Sequence, residues 1–344
     1  MEVDMKEIKT VDAVGQVLCH DITQIIKDVS KGPVFRKGHI IKEEDIPVLL
    51  SVGKDHIFVW ENDETMMHEN DAAEVLCEIS RGNNISRSEA KEGKIELKAE
   101  CDGVLKIDEE KLQMVNSFGQ MMIATRHGNF TVHKGDKLAG TRIIPLVIEK
   151  EEMDAVRAKA GDGPILNVVP FQHKRVGIVT TGNEVFHGRI KDTFTPVVVD
   201  KVMDFGAEIA GHEYSDDNNA NIEAAIRKLI DAGADMILCT GGMSVDPDDK
   251  TPLAIRNVCG DVVTYGAPVL PGAMFLLAYY GKDMIPVMGL PGCVMYARRT
   301  IFDLVLPRIM IGEILNKEDF DKLGQGGLCL DCEICTFPNC GFGK

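Results

Sequence analysis

The sequence predicts an α/β protein: a three-layer domain built on a parallel sheet, preceded by smaller mixed α+β and β-barrel-like units. Three observations carry this. The runs RVGIVTTG (175–182), DMILCTGG (235–242) and MIPVMGLPG (284–292) are short apolar strands that each end in glycine. Amphipathic helical stretches separate successive strands between residues 170 and 312, the alternation that builds a sheet covered on both faces. The carboxyl edge of such a sheet is where ligands settle, and glycine lets backbone amides come close to an anion there.

Length and composition set the frame. At 344 residues the chain is long enough for two or three domains, and 44% hydrophobic with 27% charged residues is ordinary for a globular protein. The net charge of −16 excludes general nucleic-acid binding, which needs clustered Lys and Arg, but leaves room for a small anion held by local amides. The N-terminus MEVDMKEIKTVDAV has no apolar core of signal-peptide length, and no apolar run reaches membrane-spanning length, so a cytoplasmic protein is expected.

Four segments follow along the chain. Residues 1–60 read as a small mixed β unit: a strand region over VGQVLCHDITQII, a short helix capped by Asp45 with Ile46, Leu49 and Leu50 on one face and Gly53 at its end, then the strand HIFVW. Residues 61–165 read as α+β. A helix runs through Ala72, Val75, Leu76 and Ile79, and glycines punctuate the strands KIELKAE, GVLKI, QMMIATR, NFTVH and TRIIPLVIE. EKEEMDAVRAKAGDGP reads as a charged connector. In the α/β segment, 170–312, Thr195 and Pro196 suggest a helix start and Gly206 its close. The strand AEIAGHEYS comes next. Ile222, Ala225, Ile226, Leu229 and Ile230 then define a helix by their spacing. A helix from Thr251, with Thr251 as cap and Pro252 in its first turn, leads to the strands DVVTYG, AMFLLAYY and MIPVMG, and a last helix is expected just after Gly292. Residues 313–344 form a tail carrying a cysteine cluster.

The chemistry gathers at the strand ends. Thr181, Gly182 and Asn183 form one turn, with Glu184 beside it. Gly241, Gly242 and Ser244 offer two amides and a hydroxyl, followed by Asp246, Asp248 and Asp249. Three carboxylates beside a phosphate cradle would repel it unless a divalent cation intervenes, and Mg²⁺ is the natural choice, held by Asp249 with Asp246 or Asp248. Pro271-Gly272 and Pro291-Gly292 are candidate pocket walls. Asp216-Asp217-Asn218-Asn219 is well explained by helix capping alone.

In order and spacing, TGNE, GG-x-S-x4-D, PG and GLPG resemble the molybdopterin-binding domain of molybdenum cofactor biosynthesis proteins, over about 140 residues. The domain recurs in molybdopterin molybdenumtransferases and adenylyltransferases. The resemblance implies binding of molybdopterin or its adenylate at this edge. It equates Gly182-Asn183-Glu184 with the family's Gly-Asp-Glu, Asp249 with its loop aspartate and Asp192-Thr193-Phe194 with its Asp-Ser-Asn. It suggests catalytic roles for Asp249, Glu184 and Asp246, with the pterin on Thr181, Gly182, Asn183, Gly241, Gly242, Ser244, Pro271, Gly272, Pro291 and Gly292. More loosely, 33–53 resembles a segment of the transferase branch. Three features depart from that branch. Ala273 stands where it has Lys, Cys293-Val294 replaces Asn-Pro, and the N-terminal signature ending in Asp-Gly-Tyr-Ala is absent.

Two functional readings therefore stand. One is a Mg²⁺-dependent transferase that hydrolyses the adenylate and inserts molybdate. The other is a binding protein that carries or senses the cofactor for a molybdoenzyme or another cofactor-biosynthesis protein. A third use of the fold, nucleotide hydrolysis as in the competence-damage-inducible family, is also open. A homo-oligomer is expected by analogy with the family, and no membrane or nucleic-acid partner is.

The tail holds Cys329-x2-Cys332-x2-Cys335-x4-Cys340. Four thiols in twelve residues suggest a soft metal, an iron–sulfur cluster or Zn²⁺. The other six cysteines read as reduced structural thiols, and the nine histidines show no ligand spacing.

Overall fold

The computed structural model describes residues 6–26, 30–59, 65–244, 246 and 249–344. The chain gathers into two compact units. The first comprises 1–99, 107–126 and 135–167; the second comprises 100–106, 127–134 and 168–344. The first unit thus takes in most of both N-terminal segments, and the second joins the α/β segment, the tail and two short pieces of the middle segment.

In the first unit, Lys6–Lys9 pairs antiparallel with His56–Val59, and Ala13, Leu18, Ile22, Ile41, Leu49, Ile57 and Val59 form its small core. The short helix Ile46–Ser51 starts after Asp45, but the Asp45 carboxylate does not cap it. That carboxylate accepts from His39 Nε2 (2.6 Å) and the Lys42 amide (2.9 Å). The helix Glu69–Ser80 buries Ala72, Val75, Leu76 and Ile79 as their spacing requires. A four-stranded antiparallel sheet follows, ordered Ile85–Arg87, Lys94–Ala99, Lys137–Ile143, Met121–Thr125. Two helices here were not expected. Lys150–Ala160, read as a connector, buries Met153, Val156 and Ala160, an i, i+3, i+7 stripe that the charges around it obscure. Glu109–Asn116 is started by Asp108, whose side chain accepts the Lys111 amide.

The second unit is built on a six-stranded sheet. Its elements are β1 (Arg175–Thr181), α1 (Asn183–Phe186), α2 (Phe194–Met203), β2 (Glu208–Ser215), α3 (Asn219–Asp231), β3 (Met236–Thr240), α4 (Thr251–Cys259), β4 (Val262–Tyr265), β5 (Leu276–Tyr280), β6 (Ile285–Leu290) and α5 (Ile301–Met310). The strand order is β2-β1-β3-β6-β5-β4. The first four run parallel, while β5 is antiparallel to both its neighbours, so the sheet is mixed rather than wholly parallel. The cause is connection length: only Gly281–Met284 separates β5 from β6, enough for a hairpin and too little for a crossover.

Strand residues alternate between two cores. Val176, Ile178, Met236, Leu238, Met288 and Leu290 face one side with Val198 and Val202 of α2 and Phe302, Val305 and Ile309 of α5. Val179, Ile237, Cys239 and Val287 face the other with α3 and α4. Period-2 strands between two helical layers make the three-layer sandwich.

Two helix starts differ from expectation. The side chain of Asp192, not Thr195, accepts the Phe194 and Thr195 amides and starts α2 (2.9 and 3.0 Å). After Gly292 the chain makes only a 3-10 turn to Met295. The helix α5 begins further on, at Ile301, where Thr300 and Asp303 form a reciprocal cap.

One buried ionic network ties the sheet's far side. Arg308, 9% exposed, donates to Glu313 (2.7 and 3.0 Å) and Asp319 (2.6 Å), and Lys106 Nζ adds a second cation at Glu313 (2.9 Å). Burial pushes both carboxyls up, but Arg308 and Lys106 at Glu313, and the Asn316 amide and Arg308 at Asp319, hold them below their ordinary values. Depressed carboxyl values stabilise the fold above the unfolded-state values near about pH 4, and that stability is lost as pH falls through the lower folded values. Arg308→Met is expected to destabilise the second unit by about 3–5 kcal/mol at neutral pH, since it strands buried carboxylates. In chemical unfolding the gap to the parent should shrink below about pH 4.

Candidate functional site

The three glycine turns leave the sheet level with one another. Thr180 pairs with Thr240, and Thr240 with Leu290, so Thr181-Gly182, Gly241-Gly242 and Pro291-Gly292 emerge from adjacent strands at one edge. The chain passes from β1 to β2 on one side and then back across to β3 on the other, which places the switch in strand order between β1 and β3. A crevice opens at such a point, and Gly182 and Gly241 stand on its two lips.

A threonine bracket fixes these lips. The buried Thr181 hydroxyl donates to the Thr240 carbonyl (3.1 Å) and meets the Thr251 hydroxyl (3.1 Å), which donates to the Gly241 carbonyl (2.9 Å). Thr251 is therefore the first residue of α4 and serves the loop, not the helix end as expected. Gly241 (φ +84°) and Gly242 (φ +56°) are required by this closeness. A Cβ on Gly241 would lie 2.4 Å from the Thr181 carbonyl oxygen, and one on Gly242 would lie 2.8 Å from the Thr251 hydroxyl. Thr181 thus contributes architecture through its side chain.

The remaining positions are distributed around this edge. Gly182 (φ +126°) is buried, and the exposed Glu184 side chain folds back over it, 3.0 Å from where its Cβ would be. The Asn183 amide donates to the Asp217 carboxylate (2.9 Å), so an anionic oxygen already occupies that donor. In the acidic loop, Asp249 Oδ2 accepts the Asp246 amide (3.2 Å) and the Asp249 amide donates to the Asp246 carbonyl (3.0 Å), closing a turn. Asp246 and Ser244 are exposed. Asp248 lies outside the described residues. Among the described residues no three His, Cys, Asp or Glu side chains converge on one metal-ion position. Two described carboxylates are nonetheless the number Mg²⁺ takes when ligand phosphate and water complete its shell. Pro271-Gly272 abuts α5: the Pro271 carbonyl accepts the Ile301 amide (3.2 Å), and a Cβ on Gly272 (φ +124°) would strike Ile301. Gly292 opens the 3-10 turn behind Pro291.

Sequence reasoning passed over two groups at this edge, His212 and Tyr265, and missed the helix-starting role of Asp192. His212 on β2 lies 2.8 Å from the Thr180 hydroxyl, which in turn meets Thr195 (2.8 Å), and burial pulls its pKa down. Tyr265, the last residue of β4, donates to the Met243 and Ser244 carbonyls (3.1 and 3.2 Å) and so pins the glycine loop. Burial, with Asp249 nearby, pushes that phenol up. Asp192 joins helix start and edge. A polar residue beside an apolar strand or helix was the available signal in each case.

Residues 177–310 match a family model described as a probable molybdopterin binding domain. The match lies wholly within the second unit. Residues 7–61 match a separate model described as a domain of unknown function. The chain is 37% identical over 95 residues to a CinA-like protein of Mycobacterium avium and 37% over 86 residues to one of Mycobacterium tuberculosis, covering 28% and 25% of this chain and 22% and 20% of those proteins. It thus spans about a fifth of the length of the curated relatives it matches. Among solved structures it is similar to the molybdopterin biosynthesis enzyme MoaB of Thermus thermophilus, 26% identical with a TM-score of 0.36, covering 41% of this chain and 98% of that one. The matched residues include the three glycine turns at the strand ends. Among the described residues, no helix is long and apolar enough to cross a membrane.

Two substitutions test the bracket. Thr181→Val keeps the volume and removes the hydroxyl; it should cost roughly 1–3 kcal/mol in denaturant unfolding, the penalty for a buried carbonyl and hydroxyl losing their partner. Gly241→Ala should cost more, because backbone strain at positive φ adds to a collision with backbone rather than with a movable side chain.

Proposed function

We propose that the second unit binds molybdopterin, or its adenylate, along the edge formed by Gly182, Gly241-Gly242-Ser244 and Pro291-Gly292, in the service of molybdenum cofactor biosynthesis. The observation that carries this reading is the level emergence of the three glycine turns at the β1–β3 switch point, in a segment that matches the molybdopterin-binding family. Phosphate oxygens would take the loop amides and the exposed Ser244 hydroxyl, and Pro271-Gly272 would wall the pocket. Glycines at 241 and 242 keep that approach open, and Tyr265 keeps the loop in place without reorganisation at the moment of binding.

Binding is favoured over turnover by what the chain holds near the phosphates. Ala273 supplies no cation where the transferase branch has one, and the Asp249 carboxylate is engaged in its own loop turn. Mg²⁺ would be shared between ligand phosphates and the Asp246–Asp249 turn, supplying charge neutralisation. The transferase reading, adenylate hydrolysis with molybdate insertion, keeps Asp249, Glu184 and Asp246 as its reacting groups. The likeness to CinA-like proteins supports a role other than molybdate insertion.

Titration of the purified chain with molybdopterin and with its adenylate, each with and without Mg²⁺, decides among these. Tight binding of either pterin without AMP release is the expected result; AMP release with molybdate incorporation would move the assignment to the transferase. No binding of either pterin would end the reading. Asp249→Ala should weaken adenylate binding about tenfold or more in Mg²⁺ and little without it, since it removes one carboxylate from the shared shell.

A further inference from the structure

We infer that Cys329, Cys332, Cys335 and Cys340 hold an iron–sulfur cluster, because all four line one cavity that two arginines border and that the chain closes into a loop. The cavity has a volume of about 250 Å³. Its wall also includes Arg298, Arg299, Phe337 and Phe342.

The loop is built, not frayed. The Leu270 amide donates to the Gly327 carbonyl and the Cys329 amide to the Leu270 carbonyl, both at 2.8 Å, so the tail begins as an extension beside β-structure. At its other end the Gly343 amide donates to the Gly326 carbonyl (2.9 Å), bringing the two ends of 326–343 together. Phe342 is buried in the sheet's core, and Phe337 packs against Phe130 and Phe342. Arg298 Nη1 donates to the Cys332 and Glu333 carbonyls (3.0 and 2.7 Å) and so shapes the loop's tip. Cys329 and Cys340 pack against the core, but apolar packing does not explain the exposed Cys332 and Cys335. Leu328, Leu330 and Ile334 are exposed, while the residues around one cavity include every cysteine of the tail.

Charge and size decide the occupant. Arg298 and Arg299 bring two cations to a pocket whose thiols would be thiolates once metallated, and Arg299 lines it together with Cys335. The Arg299 Nε is enclosed yet has no partner, a buried donor facing no acceptor in the protein. A bound inorganic sulfide or thiolate supplies one. A single Zn²⁺ draws its four sulfurs to about 2.3 Å from one centre. A cluster places its thiolates on separate irons and so accepts ligands spread around a cavity. The C-x2-C-x2-C run, with its distal fourth Cys, suits that arrangement, although four residues rather than three precede the last Cys and proline lies before it. Transfer of a preformed cluster needs no oxidant: donor ligands are exchanged for four cysteine sulfurs, and four thiol protons pass to solvent.

The other six thiols do not compete. Burial is the leading effect at each and pushes it up, Cys19 to about 11 and Cys259 to about 12.

The full-length chain, purified without oxygen or reconstituted anaerobically with ferrous and ferric iron and sulfide, should be brown and carry iron and acid-labile sulfide in equal amounts. Cys332→Ser and Cys335→Ser, at exposed positions, should lose most of both while keeping the parent's circular dichroism; Cys101→Ser should lose neither. Zinc in place of iron, a colourless protein after reconstitution, or full retention of iron and sulfide in both serine variants would overturn the assignment. These readouts are independent of pterin binding.

Discussion

The hydrogen-bonded bracket of Thr181, Thr240, Gly241 and Thr251 is the constraint on which the candidate site depends. It joins the ends of β1 and β3 to the first residue of α4 through one buried hydroxyl pair. Parallel strands offer no turn of their own to hold their ends in step, since each is followed by a crossover. The bracket does this by side chains. Once it is closed, positions 241 and 242 have no room for a Cβ, and the amide-bearing loop takes the only path left to it.

The rest of the edge is organised around that loop by polar groups turned inward. Tyr265 reaches across from β4 to hold the carbonyls of Met243 and Ser244. Gly289 on β6 leaves the space that the Met243 side chain fills, since a Cβ there would lie 2.5 Å from its sulfur. An antiparallel β5 is what brings β4 into the sheet next to it and so sets Tyr265 at this end. Sheet topology, loop conformation and ligand edge are thus one arrangement. On the opposite lip the same economy is visible in reverse: Asp217 satisfies the Asn183 amide, which a ligand must either displace or leave alone.

The same unit carries a second polar concentration, the cysteine loop. It is joined to the chain beside Leu270, one residue before Pro271 of the candidate edge. Arg299 links the two regions covalently and electrostatically: it follows the Pro291-Gly292 turn in sequence, pairs with Asp303 of the α5 cap (2.9 Å), stacks over Phe337 and lines the cysteine cavity. Asp303 is shared with Lys201 of α2 (2.5 Å), whose own start is set by Asp192 at the edge. A change of charge at the cysteines would be felt first by this arginine and then by the α5 cap.

Periodicity and glycine placement alone determined the α/β class, the strands of the second unit, the helices whose apolar stripes are uninterrupted, such as α3, and the three turns of the candidate edge. These are local properties: a strand's alternation and a glycine's freedom are written in neighbouring residues. Tertiary structure decided the rest. The direction of β5 depended on how little chain separates it from β6. The cap of α2 passed from Thr195 to Asp192, and the hydroxyl of Thr251 went to Gly241, because a polar side chain takes whichever partner folding brings nearest. The helix 150–160 was hidden because its buried stripe of Met153, Val156 and Ala160 is outnumbered by charges that face outward. Long-range hydrogen bonds between residues sixty or seventy apart, such as Thr181 to Thr240 and Thr251, have no signature in sequence, since only the folded sheet makes those residues neighbours.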